Sequence, residues 1–344
     1  MASFTVAKLR WVRDHEPAVA QRVRRVWLPH DYVTWHLSGR TAEPVTDRGD
    51  ASGTGYWSPH QDAWRADLAT AALGHEVELP RVAGPAEAVG QVPSSATVIG
   101  AGTGDNMAAA LGLGLSPGDV VLSVGTSGVA SMLTERASAD GSGLVSGFAD
   151  ATGRFLPLVC TLNASRVLDL TARLLGVSHD GLAELALAAQ PGAHGLTLLP
   201  YLDGERTPNR PDAAGTLHGL RSSTTPQDVA RAAVEGLLCS LADALEHLVS
   251  VTGVSPSRVL LVGGGARNPA VRALAPCLLG LPVVVPAPDE YVARGAARQA
   301  AWVLRGGPSP PDWPLPDERT YDAQPTPGVR EQYAELKDRT AAWH

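Results

Sequence analysis

Residues 100–106 read GAGTGDN, three alternating glycines that run into Asp105 and Asn106. Glycine turns let backbone N–H groups approach phosphate oxygens with no Cβ in the way, and a helix that follows adds its positive end. An acid at the tip of such a turn has two readings. It can cap the helix, or it can take the proton of an attacking hydroxyl, which is worth about 10²–10⁴ in rate. Two further glycine turns follow apolar runs: Gly125, Thr126 and Ser127 after VVLSV, and Gly263, Gly264 and Gly265 after RVLLV. Phosphoryl transfer depends mainly on alignment and charge neutralisation. One carboxylate, glycine cradles and Mg²⁺ are therefore a sufficient kit.

Two familiar phosphate binders fail. The dinucleotide pattern G-x-G-x-x-G lacks its last glycine, since Asp105 and Asn268 stand there. The P-loop needs a lysine after its second glycine, and the lysines, Lys8 and Lys337, lie in no glycine loop. The cysteines, Cys160, Cys239 and Cys277, are isolated, and no C-x-x-C or H-E-x-x-H spacing occurs, so no metal ligand is assigned and buried reduced thiols are expected. A net charge of −7 without a basic run argues against nucleic acid as a partner. No apolar run reaches membrane-spanning length and no signal peptide is visible, so a cytoplasmic protein without a membrane partner is expected.

The elements that must position these turns alternate between strand and helix, an α/β pattern. Helix is expected up to about Gly39 and loop over 46–60. A strand, turn and helix are expected around GAGTGDN, and two strands joined at Gly125–Ser127. The clearest helix starts at Thr225, a capping residue followed by Pro226, carries an apolar stripe from Val229 to Leu248, and ends at Gly253. Strand, helix, strand and helix follow to Arg305. The Pro- and Asp-rich tail from Gly306 is expected to be loosely held, with a closing helix within 329–343.

The sequence resembles the FGGY family of sugar kinases, most of all its xylulokinases. SFTVAKLRWVRDHEP (3–17), with Lys8 and Trp11, is similar to the family's first signature, and GTLHGLRSSTTPQDVARAAVE (215–235) to the second. LPYLDGERTPNRPDAAG and TDRGDASGTGYW are similar to xylulokinase segments. The resemblance implies an actin-like, ribonuclease-H-like two-lobe ATPase fold. It also implies ATP-dependent phosphorylation of D-xylulose to D-xylulose 5-phosphate, with Mg²⁺. On the matching positions it makes Asp105 the general base and puts Asn106 and Arg25 at the sugar. Gly125, Thr126 and Ser127 would face the phosphates, and Gly264, Gly265 and Asn268 the adenosine. Asn268 can equally cap the helix that begins at Pro269, and Arg25 can equally be a solvated surface residue.

The family's opening D-x-G-T segment is not found, and the chain begins at the first signature. The first lobe is therefore expected to be incomplete. The expected division is a partial sugar-binding lobe over 1–117, a nucleotide lobe over 118–308 and a tail over 309–344. Two alternatives to a xylulokinase remain: an impaired relative that only binds nucleotide or sugar, and a kinase for ribulose, glycerol or gluconate. Family resemblance allows a homodimer, although no coiled-coil seam is visible.

Overall fold

The computed structural model describes residues 3–315 and 317–343. The first part holds α1 (Thr5–His15), α2 (Pro17–Ala20), α3 (Pro29–Leu37), β1 (Val45–Thr46), α4 (Arg48–Ser52), β2 (Trp57–Ser58), β3 (Ala63–Trp64), α5 (Ala66–Leu73), β4 (Arg81–Val82), β5 (Ala88–Gln91), β6 (Val98–Gly100) and α6 (Asp105–Gly112). Its strands pair only in twos: β1 with β4, β2 with β3, β5 with β6. A small core of Leu9, Ala20, Tyr56, Ala69, Ala72 and Leu73 joins α1 to α5. The helix expected up to Gly39 is broken between α2 and α3. Pro29 forces the residue before it out of helical space, and Leu28 is extended with ψ 159°. The expected loop at 46–60 contains α4, because Asp47 accepts hydrogen bonds from the N–H groups of Gly49 and Asp50 and so starts a helix.

The second part holds β7 (Asp119–Val124), β8 (Gly128–Met132), β9 (Ser146–Ala149), β10 (Phe155–Thr161), α7 (Ser165–Leu175), α8 (His179–Ala188), β11 (Thr197–Glu205), β12 (Arg210–His218), α9 (Pro226–Thr252), β13 (Arg258–Val262), α10 (Pro269–Leu279), β14 (Val283–Val285), α11 (Tyr291–Arg305), β15 (Arg319–Tyr321) and α12 (Pro327–Arg339). Seven strands form one sheet in the order β15-β14-β13-β7-β8-β10-β9. β13 runs parallel to β7 and β14, and the remaining pairs are antiparallel. β7 is buried nearly throughout, as a central strand covered on both faces must be.

Helix α9 is the spine of this part. The Thr225 hydroxyl accepts the N–H of Asp228 while the Asp228 carboxylate accepts the N–H of Thr225. This reciprocal cap leaves two otherwise orphaned donors satisfied. Gly253, at φ +67°, ends the helix in the left-handed region. Between these ends Ala233, Leu237, Leu241, Leu245 and Leu248 are buried against the sheet and neighbouring helices. Arg231 and Glu235 are buried too, paired at 2.6 Å.

The tail departs from the expectation of loose attachment. β15 completes the edge of the sheet beside β14, and α12 sends Val329, Tyr333 and Leu336 into the main core. The Tyr333 hydroxyl meets that of Tyr201 at 3.3 Å. Of the three cysteines, all unpaired, only Cys239 is fully buried; Cys160 and Cys277 are half-buried.

The two parts meet where α6 crosses α11. A Cβ on Gly112 would overlap the carbonyl oxygen of Tyr291, and one on Gly295 that of Ala108. Backbone therefore lies directly on backbone. The C-terminal carbonyls of α6, which have no partner inside the helix, accept from arginines of α11: Leu111 from Arg298 at 2.6 Å and Gly112 from Arg294 at 3.2 Å.

Two expectations follow. Gly295→Ala forces the helices apart and should lower unfolding free energy by about 3 kcal/mol, as overpacking does, whereas Gly141→Ala, with open space around it, should stay within about 0.5 kcal/mol. Tyr333→Ala should cost about 3–5 kcal/mol, where a loosely held tail would give no change. Denaturant midpoints of the purified variants decide both.

Candidate active site

Asp105 is the first residue of α6, and the cap position before it is Gly104, with no side-chain cap bond. Asp105 is therefore not the cap itself, although as an acid in the first turn it suits the positive end of the helix. Its side chain is exposed, and one oxygen, Oδ1, accepts from both the backbone N–H of Asn106 (2.7 Å) and its side-chain amide (3.0 Å). Oδ2 has no partner among the described residues, so it is free to accept a proton from an incoming group. The Asp105 carboxylate is close enough to Cys160, near the end of β10, to act on its thiol. Burial pushes the Cys160 thiol up, Arg206 opposes this, and the Asp105 carboxylate adds to the rise.

The end of β10 is ordered by a buried carboxylate. Glu205, 1% exposed, accepts from the N–H groups of Leu162 (2.6 Å) and Arg206 (2.8 Å) and from the Asn163 amide (3.0 Å). It orders the loop ends and, among the described residues, pairs with no arginine side chain.

The turn at Gly125–Ser127 joins β7 to β8. Its carbonyls are taken: Gly125 accepts from Ser165 N–H at 2.8 Å and Thr126 from Ala164 N–H at 3.0 Å. The side chains of Thr126 and Ser127 remain exposed, with no hydrogen bond among the described residues. The third turn, Gly263–Gly265, is pressed against β7, where a Cβ on Gly265 would collide with Val124. Asn268 caps α10 through Oδ1, which accepts from Ala270 and Val271. Its Nδ2 is buried without a partner. Gly264, Gly265 and Asn268 line a cavity of about 370 Å³ whose other wall is Ser165, Leu168 and Asp169 of α7. Ser165 thus connects this cavity to the Gly125–Ser127 turn. A second cavity of about 460 Å³ lies between Gly263–Gly264 and Val285–Tyr291 but does not touch Ser165.

Arg25 is not brought to the Asp105 turn. Its guanidinium pairs with Glu78 at 2.6 Å, both side chains largely exposed, and none of its bonds reaches residues 100–106. Lys8 and Trp11 of the first signature are likewise on the surface: Lys8 donates to the Ser3 carbonyl and Trp11 stacks on His15.

One cluster has no motif to announce it. His30 Nε2 lies 3.0 Å from Asp47 Oδ1 and 2.8 Å from Asp50 Oδ2, and Nδ1 lies 3.3 Å from Asp31 Oδ1. Burial alone would pull the His30 pKa down; hydrogen bonds to Asp47 and Asp50 and the charge of Asp31 outweigh it and push it up to about 10. Burial lifts Asp31 to about 6 and raises Asp47, in both cases against the opposing pull of His30. Among the described residues, His30, Asp47 and Asp50 are the one group of three metal-type side chains with ligand atoms within 4.8 Å. The imidazole nitrogen is already held between two carboxylates, and the donor set is not the octahedron of oxygens that Mg²⁺ demands, so the group does not fit a resident Mg²⁺.

Comparison with known proteins identifies the family. The N-terminal domain model of the FGGY family of carbohydrate kinases matches residues 1–112, and the C-terminal domain model matches residues 120–304. The chain is 46% identical over 312 residues to the xylulose kinase of Streptomyces coelicolor, covering 89% of this chain and 63% of that protein. It is 46% identical over 316 residues to that of Streptomyces rubiginosus, with the same two coverages. The chain therefore spans less than two thirds of the length of these relatives. Its fold superposes on the crystal structure of xylulose kinase from Bifidobacterium adolescentis with a TM-score of 0.91 at 45% identity, covering 98% of this chain and 73% of that one. The α/β sheet thus belongs to the actin-like two-lobe architecture, and the chain belongs to the FGGY family of carbohydrate kinases.

Proposed function

We propose that this chain works as a sugar kinase that transfers the γ-phosphoryl group of MgATP to D-xylulose, giving D-xylulose 5-phosphate and ADP. The observation that carries the reading is the free Oδ2 of Asp105, exposed at the tip of a glycine turn. The names of the similar proteins supply the sugar.

In this reading Asp105 Oδ2 takes the proton of the sugar hydroxyl as its oxygen attacks the γ-phosphorus. The bond from that phosphorus to the β–γ bridging oxygen breaks, and ADP leaves with the bond's electron pair. Asn106 holds Oδ1, which fixes the carboxylate plane, and its amide oxygen remains able to accept a sugar hydroxyl. Thr126, Ser127 and the Gly125 backbone face the phosphates with hydroxyl and N–H donors, the chemistry that phosphate oxygens need. Adenosine occupies the cavity between Gly264, Gly265 and α7, where the orphaned Asn268 Nδ2 donates to a ring nitrogen. A buried donor without a partner costs free energy, and a ligand acceptor removes that cost. Mg²⁺ arrives on the phosphates as part of the substrate, since its preference is for phosphate and water oxygens.

The test is a coupled ADP assay on the purified chain with MgATP and a panel of D-xylulose, D-ribulose, glycerol and gluconate. Turnover should depend on D-xylulose. Asp105→Asn should lower kcat by about 10²–10⁴-fold, the range for a lost general base, and leave ATP affinity within about twofold. Near-normal turnover in that variant removes the base assignment. ATP binding without ADP release on any sugar leaves a nucleotide-binding relative instead. Asn268→Ala should weaken ATP binding by about tenfold, the size of one net hydrogen bond, in isothermal titration.

A further inference from the structure

We infer that His30 is a positioning residue: through Asp50 and Asp47 it braces, from beneath, the glycine turn that aims Asp105. This rests on the reading of Asp105 as the reacting carboxylate.

Three segments distant in sequence converge under that turn. His30 comes from the first turn of α3, Asp47 and Asp50 from the cap and body of α4, and Gly102–Gly104 from the approach to α6. The imidazole lies under Gly102, where a Cβ would stand 3.7 Å from Nδ1. The carboxylate of Asp50 lies under Gly104, where a Cβ would stand 2.5 Å from Oδ1. The glycines are thus required twice, for φ +81° at Gly102 and for this close approach. A glycine turn has little stiffness of its own, so its position is set by what it rests on. From the other side Gln299 of α11 donates to the Gly102 carbonyl at 2.8 Å.

The brace is held by charge. Among the described residues His30 is the one cationic side chain paired with Asp31, Asp47 or Asp50. Asp31 is fully buried and Asp47 nearly so. Without the imidazolium, carboxylates in poor contact with water would repel one another or take up protons. Asp50 is the member with freedom to leave, since its side chain is 32% exposed. Its departure would remove the floor under Gly104, one residue from Asp105. A misplacement of about 1 Å in such a site can cost about 10²-fold in rate.

The sign of the pH dependence follows. The pKa of His30 in the folded protein, about 10, stands above the 6.5 of an unperturbed imidazole. Its stabilising contribution is complete below pH 6.5 and is lost as pH rises toward 10. The charged and titratable groups facing it are Asp31 on α3 and Asp47 and Asp50 on α4.

Two independent measurements test the inference. The first is an NMR titration of the ring Cε1–H of His30, assigned with His30→Gln. The resonance should stay in its protonated position from pH 6 to 8 and move only near pH 10; a midpoint near 6.5 overturns the brace whether or not the chain is a kinase. The second compares His30→Gln, His30→Lys and Asp50→Asn in steady-state kinetics. His30→Gln and Asp50→Asn should lower kcat by about 10–100-fold, the effect of a displaced base, with KM for MgATP and sugar within about threefold. His30→Lys, which restores a cation, should recover most of the loss. Folded variants with unchanged kcat overturn the inference. If wild-type protein shows no turnover, the kinase reading fails, and amide exchange at Gly104–Asn106 takes over as the second measurement. It should quicken at least tenfold in Asp50→Asn, and unchanged exchange overturns the brace.

Discussion

The crossing of α6 and α11 governs the placement of everything else. Two helices normally stand 8–10 Å apart because side chains separate them. At Gly112 and Gly295 there is none, and carbonyl oxygens occupy the space where Cβ atoms would be. The crossing cannot slide without meeting bulk on either side, and Arg298 and Arg294 tie the end of α6 to α11. α11 follows β14 of the large sheet. The first part of the molecule, which has no large sheet of its own among the described residues, thus takes its orientation from the second. Asp105 sits at the opposite end of α6, so the contact that fixes the helix lies two turns from its exposed carboxylate.

The three glycine turns have different mechanical settings. The turn before Asp105 rests on His30 and Asp50. The turn at Gly125–Ser127 gives its carbonyls to the start of α7 and leaves its hydroxyls outward. The turn at Gly263–Gly265 is flattened onto Val124 of β7. Since β7 carries one turn at its end and supports another, the second and third are locked together through a single central strand. Asn268 shows how one side chain can serve structure and ligand at once: its oxygen caps α10 while its nitrogen stays unpaired.

Much of this was legible in the sequence where the determinants are local. The caps at Thr225 and Asn268, the left-handed Gly253 and the hairpin at Gly125–Ser127 are encoded within a few residues, and they fold as read. The family signatures likewise lie on continuous stretches. What escaped depends on distance along the chain. His30 meets Asp47 and Asp50 only after α3 and α4 have packed, and neither LPHD nor TDRGD has a spacing that signals it. Asp47 looks like part of a loop until its carboxylate is seen to start α4. The resemblance puts Arg25 at the sugar, yet here its guanidinium pairs with Glu78, distant along the chain. The tail reads as loose because its prolines and acids hide the few residues, Val329, Tyr333 and Leu336, that enter the main core.

The tail's integration has a bearing on biosynthesis. β14 is left with a bare strand edge, and the pocket for Tyr333 stands open, until residues 319–339 have left the ribosome and their length of the exit tunnel. An uncovered parallel edge is a template for pairing with other chains. Nascent protein therefore carries an adhesive edge until β15 has emerged to pair with β14, and α12 then fills the pocket for Tyr333.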